Sequence, residues 1–188
     1  SIQTTAAFTN GHAGYTLDDS YDYGGPGAGR IITADAGALE IAGTDGFIST
    51  GNLDAGTIPA EGMGIRMMWY PGKAAFRAGS LDEYNAGKWD ADSIGLYSVA
   101  TGYNTIAGAS YAVAMGGYTA ALGIGSTALG SSNTASGNYS TAMGIGTRAN
   151  GAYSTTMGYN TEASGNNSTA MGGGTVASAV YAIAGGLS

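Results

Sequence analysis

One histidine, His12, stands in a chain rich in serine and threonine. A Ser-His-Asp hydrolase needs a histidine held against its serine, and a lone His12 close to Ser1 gives no support for one. Asp18, Asp19 and Asp22 could offer oxygen ligands to Ca²⁺. Their spacing matches no known calcium loop, and a solvated acidic turn is the alternative reading. Gly172-Gly173-Gly174 lacks the lysine and the following helix of a phosphate loop. The chain has no cysteine, which excludes disulfides and cysteine-ligated metal. The residues therefore predict no catalytic, cofactor-binding or metal site, and a protein that is not an enzyme.

The 188 residues carry a formal net charge of −7, which disfavours nucleic acid as a partner. Glycine is abundant, at 35 residues, and only 10% of residues are charged. Disorder needs high charge with low hydrophobicity, and collagen needs glycine at every third residue. Neither applies. The remaining reading is a β-solenoid whose narrow interior takes small side chains. No apolar run is long enough for a membrane span, so no direct membrane insertion is expected. The chain opens at Ser1 without a leader, as a processed secreted protein or a fragment would. After Gly95 the only charged residues are Arg148 and Glu162, which marks a boundary near Asp92–Ile94.

From Gly95 the sequence divides every 14 residues without an insertion, at Gly95, Ala109, Gly123, Gly137, Gly151, Gly165 and Ala179. Column eight is glycine throughout, from Gly102 to Gly186, and is read as positive φ or close backbone approach, as at a tight corner. Columns six and thirteen are almost all alanine. Column five is β-branched. Column seven carries Met115, Leu129, Met143, Met157 and Met171.

A 14-residue coil holds roughly 46 Å of extended chain at about 3.3 Å per residue. After two corners, that leaves two short strands back to back and an interior one small side chain thick. Alternation then points Ser98, Ala100 and Gly102 inward, with their counterparts in later coils, and turns columns five and seven outward. The predicted interface between copies is Val99, Val113, Met115, Thr127, Leu129, Thr141, Met143, Thr155, Met157, Thr169 and Met171. A straight apolar stripe marks an interaction face. A wider monomeric solenoid with the methionines inside is the alternative.

The runs Ser98–Gly102, Ala112–Gly116, Ser126–Gly130, Ser140–Gly144, Ser154–Gly158 and Ser168–Gly172 resemble the YadA-like head of trimeric autotransporter adhesins. The resemblance implies an all-β, left-handed parallel β-roll over residues 94–188, with six full copies and one partial. It also implies three chains per fibre and an apolar trimer axis. Met or Thr often stands where the family prefers Ile or Val. The runs Tyr21–Gly46 and Gly62–Gly79 are similar to segments of repetitive bacterial and phage tail-fibre proteins. Together the resemblances imply an extracellular or bacterial cell-surface fibre, homotrimeric or longer, with a host or surface ligand such as carbohydrate. A virion tail fibre recognising a host receptor is the alternative.

The expected organisation is a β-rich module over 1–50, an aromatic-rich hairpin and cap over 51–93, and the β-roll over 94–188. Strands are expected at Arg30–Thr33, Ala38–Ile41 and Phe47–Thr50, after a turn at Gly24–Gly27. The hairpin pairs Ile65–Tyr70 with Ala74–Ala78 around Pro71-Gly72-Lys73, and with Trp89 it plugs the solenoid's entrance. An aromatic sugar-binding platform is the other reading of that cluster. Columns nine, ten and twelve vary most and are expected at solvent-facing corners. Column three adds a tyrosine ladder. The ligand-facing candidates are thus Tyr97, Tyr103, Tyr111, Tyr118, Tyr139, Tyr153 and Tyr159. The threonines of column eleven, Thr105, Thr119, Thr147, Thr161 and Thr175, would bind ice if they faced water in a flat array.

Overall fold

The computed structural model describes residues 47–187. His12, Asp18, Asp19, Asp22, the Tyr21–Gly46 run and the strands expected before residue 46 lie outside them. The compact unit that begins at Ile48 holds the architecture below. Residues 47–50 form no strand, against expectation, and are exposed.

A hairpin opens the sheet, with β1 (Gly64–Tyr70) antiparallel to β2 (Ala75–Leu81). A 3-10 turn at Pro71–Lys73 joins them, where proline suits the first helical position. Each later coil gives one five-residue strand and one of two residues. The long strands are β3 (Val99–Tyr103), β5 (Val113–Gly117), β7 (Thr127–Ser131), β9 (Thr141–Ile145), β11 (Thr155–Tyr159), β13 (Thr169–Gly173) and β15 (Ile183–Leu187). The short ones are β4 (Ile106–Ala107), β6 (Ala120–Ala121), β8 (Thr134–Ala135), β10 (Arg148–Ala149), β12 (Glu162–Ala163) and β14 (Val176–Ala177). Long strands and hairpin make a nine-stranded sheet, and short strands a six-stranded one. Beyond the hairpin every ladder is parallel, and Gly144 lies beside Gly158 and Gly158 beside Gly172 without slippage.

Small side chains fill the space between the sheets. Ala100, Ala114, Ala128, Ala142 and Ala170 are fully buried, as are Ser98, Ser126, Ser140, Ser154 and Ser168. The column-eleven threonines face them and are buried too, so the array needed for ice binding does not face water. Asn133 replaces one threonine and spans two coils. Its Nδ2 donates to the Leu129 and Gly144 carbonyls at 2.6 and 2.7 Å, and its Oδ1 accepts from the Thr147 N–H and hydroxyl at 2.9 Å.

The column-eight glycines do not make a corner. They lie inside the long strands, with φ between +109° and +125° from Gly102 to Gly186. A Cβ on Gly144 would collide with the carbonyl oxygen of Gly158 in the next coil, so both backbone angle and contact exclude a side chain. The left-handed corners are at columns three and ten, with φ of +56° at Tyr97 and +53° at Asn104. There the N–H turns back to the preceding coil, as from Tyr139 to Ile124 at 2.7 Å, while strand N–H groups such as that of Val113 donate forward to Ser126.

At the N-terminal end of the stack β4 is an edge strand among the described residues, so the carbonyls from Asn104 to Ala107 face no preceding strand. Side chains meet them instead. Trp89 Nε1 donates to Thr105 O at 2.9 Å, Lys88 Nζ to Asn104 O at 2.8 Å and Arg77 Nη2 to Ala107 O at 3.0 Å. Arg77 pairs with Ala100 and heads the buried alanine column, where it also bonds the Ser98 carbonyl and hydroxyl. Burial lowers its pKa to about 10. Asp82 fastens the cap, accepting from Asn85 N and Nδ2, Asn104 Nδ2 and the Tyr103 hydroxyl. Those bonds, led by the Asn85 side chain, lower its carboxyl pKa to about 2.

Two outcomes follow for stability. Gly144→Ala should cost more than about 3 kcal/mol in denaturant unfolding. Gly117→Ala, whose Cβ would meet nothing within 4 Å, should cost less than about 1 kcal/mol. The second outcome concerns acid. A depressed carboxylate pKa stabilises the fold above its unfolded value of 3.8 and loses that contribution as pH falls through about 2. Tryptophan fluorescence should report loosening of the cap across that window, and Asp82→Asn should remove this dependence. Superimposable acid titrations of the two chains would contradict it.

Candidate functional site

The outward face of the nine-stranded sheet is built by alternation and exact register. One row runs Trp69, Phe76, Val99, Val113, Thr127, Thr141, Thr155, Thr169, Ile183. A parallel row runs Met67, Ala78, Thr101, Met115, Leu129, Met143, Met157, Met171, Gly185. Neither row contains a charge. At about 4.8 Å per strand the face is roughly 38 Å long. All eleven interface candidates stand on these rows. Met115, Met157 and Met171 are exposed in the protomer, and the other eight are half-buried. The methionines therefore lie outside the coil, and the alternative that places them within it does not hold.

The hairpin's part in these rows was not anticipated. Ile65, Met67 and Trp69 point outward, while Met68 and Tyr70, on the opposite face of the strand, are buried. Their alternation is visible in the sequence. The pairing of Phe76 with Val99, which aligns the hairpin with columns five and seven, spans too much irregular chain to be read there. Arg77, Lys88 and Asp82 were likewise missed as cap residues, because an isolated charge before a repeat carries no signal of burial.

All seven tyrosine candidates are exposed, yet they do not form one surface. Tyr97, Tyr111, Tyr139 and Tyr153 stand at the corner before each long strand, and Tyr103, Tyr118 and Tyr159 at the end of the strand or just beyond it. The first group stacks in pairs, Tyr97 on Tyr111 at 5.2 Å and Tyr139 on Tyr153 at 5.4 Å. Gly125 interrupts the ladder between them. These tyrosines hold φ of +56° to +62°, a region that costs a non-glycine residue about 1–2 kcal/mol. On the other side, Tyr103 meets Tyr118 edge to face at 5.1 Å. Bonds to Tyr118 and Asp82 push the Tyr103 phenol up to about 12, so its hydroxyl is committed to the cap. Asn104, expected at a solvent-facing corner, is buried because it bonds Asp82.

Among the described residues no group of three or more His, Asp or Glu side chains is placed to hold a metal ion. Neither a curated protein nor a solved structure matches the chain. The family model described as YadA head domain repeat (2 copies) matches residues 93–119, 121–147, 135–161, 149–175 and 163–187. Those matches cover half of the sequence and coincide with the stacked coils, so this chain belongs to the YadA head family.

Proposed function

We propose that this chain is a non-catalytic segment of an extracellular surface fibre, in which three parallel copies of a left-handed coil pack their charge-free rows around a common axis. The observation that carries the reading is the outer face itself. The charges of the coils, Arg148 and Glu162, both stand on the short-strand sheet, and the hairpin turns none onto the rows, so the strip is free of charge from end to end. In a symmetric parallel assembly each residue near the axis meets its own copy, so a charge there would face its like. Fully burying one methionine is worth about 1.5–3 kcal/mol, and the row offers several per chain. Membership of the family supports three copies and an adhesive, surface-exposed fibre. The stacked pairs Tyr97–Tyr111 and Tyr139–Tyr153 flank the axis face and remain available to a surface ligand such as carbohydrate.

Light scattering at micromolar concentration should give three times the chain mass. Met157→Glu would bring uncompensated carboxylates to the axis at about 3–5 kcal/mol and should yield folded monomers. Tyr139→Ser with Tyr153→Ser should leave the mass unchanged and lower attachment to the fibre's target surface. A monomer in the unaltered chain would overturn the reading.

A further inference from the structure

The repeats have a weakness as an interface. Sliding one copy along another by a single coil, about 4.8 Å, sets Thr141 against Thr155 and Met143 against Met157. Thr127 then meets Thr141, and Met157 meets Met171. From Thr127 to Thr169 and from Met115 to Met171, each contact is replaced by one of the same kind. That middle stretch can hold copies together but sets only weakly where they stop.

The hairpin breaks this degeneracy. Trp69 has no counterpart in any coil, Met67 is set apart from the column-seven methionines by Ala78 and Thr101, and with Ile65 they stand in register with columns five, seven and nine. Ile65 and Met67 are 91% and 77% exposed, against 44% for Met115, so the hairpin end of the strip is as open as its other end at Ile183, which is 80% exposed. Its outer face carries no charge and continues the rows without a gap. We propose that the outer face of the β1–β2 hairpin belongs to the contact between copies and sets the axial register at which they meet, a second copy of this chain being its occupant. The inference rests on the self-association proposed above. A one-coil slip would move β1 of one copy opposite β2 of the next, exchanging Trp69–Trp69 and Met67–Met67 contacts for Trp69–Phe76 and Met67–Ala78. Unique residues at one end of a repetitive interface are how register is specified elsewhere, as by a single distinctive core position in a coiled coil.

The test is sedimentation velocity over a range of concentrations. The chains compared are the unaltered one, the triple variant Ile65→Thr, Met67→Thr, Trp69→Thr, and the double variant Ile65→Thr, Met67→Thr. Threonine keeps the strand propensity, and the double variant changes only strongly exposed side chains, so its fold is secure; circular dichroism checks both. The unaltered chain should sediment as one sharp species. The variants should lose that single boundary and spread into staggered assemblies heavier than it, because overhanging rows recruit further copies. A folded variant that keeps the single species and its concentration dependence would overturn the inference while self-association stands. A folded variant that is monomeric throughout would overturn the register claim, since the repeats would then hold no copies together by themselves. An unaltered chain that is monomeric would overturn self-association itself.

Discussion

Backbone contact between successive coils governs this molecule. At Gly144 and its equivalents the chain runs so close to the next coil that no Cβ fits. With strands at that spacing and 14 residues per coil, the interior takes one layer of alanine, serine and threonine. Methionine, leucine and tyrosine have nowhere to go but outward. The apolar outer face is therefore a consequence of a thin core, and so is its straightness, because the register that aligns the glycines also aligns the methionines.

A stack of coils has ends, and the backbone that satisfies itself along the stack cannot do so there. At the N-terminal end the edge carbonyls are met by cationic and indole donors, with Arg77 inside the alanine column and Trp89 over the edge strand. A buried guanidinium is costly unless its bonds are made, and here most of its donors find carbonyls or the Ser98 hydroxyl. The same hairpin that delivers Arg77 inward presents Trp69 and Met67 outward, since alternation along paired strands joins the two roles.

Much of this was legible in the sequence. The uninterrupted period and the inward Ser-Ala faces required only strand alternation and a length estimate. The positive φ and close approach of the glycine column were legible, and only its placement at a corner was wrong. A glycine within a strand that touches the next coil leaves the same sequence mark. The corner residues themselves include tyrosine at φ near +57°, as at Tyr139 and Tyr153, where local preference favours glycine or asparagine. The threonine ranks, read as a possible surface, face inward because they lie opposite the alanines across a very thin core. The polar contacts of the cap were least legible. Asp82 and the adjacent Tyr103 and Asn104 come from separate segments, and only the tertiary fold brings them together.

Methionine oxidation offers the most direct test, because the chain carries its own standards. Thioether sulfur reacts with peroxide according to its exposure. Met63 is 65% exposed and Met68 is 6% exposed in the protomer, while Met157 lies between them at 42%. Mass spectrometry of peptides from the assembled chain should find Met115, Met157 and Met171 as resistant as Met68, covered by neighbouring copies. Oxidation of those three at the rate of Met63 would show that the outer face is open to water and would contradict the account.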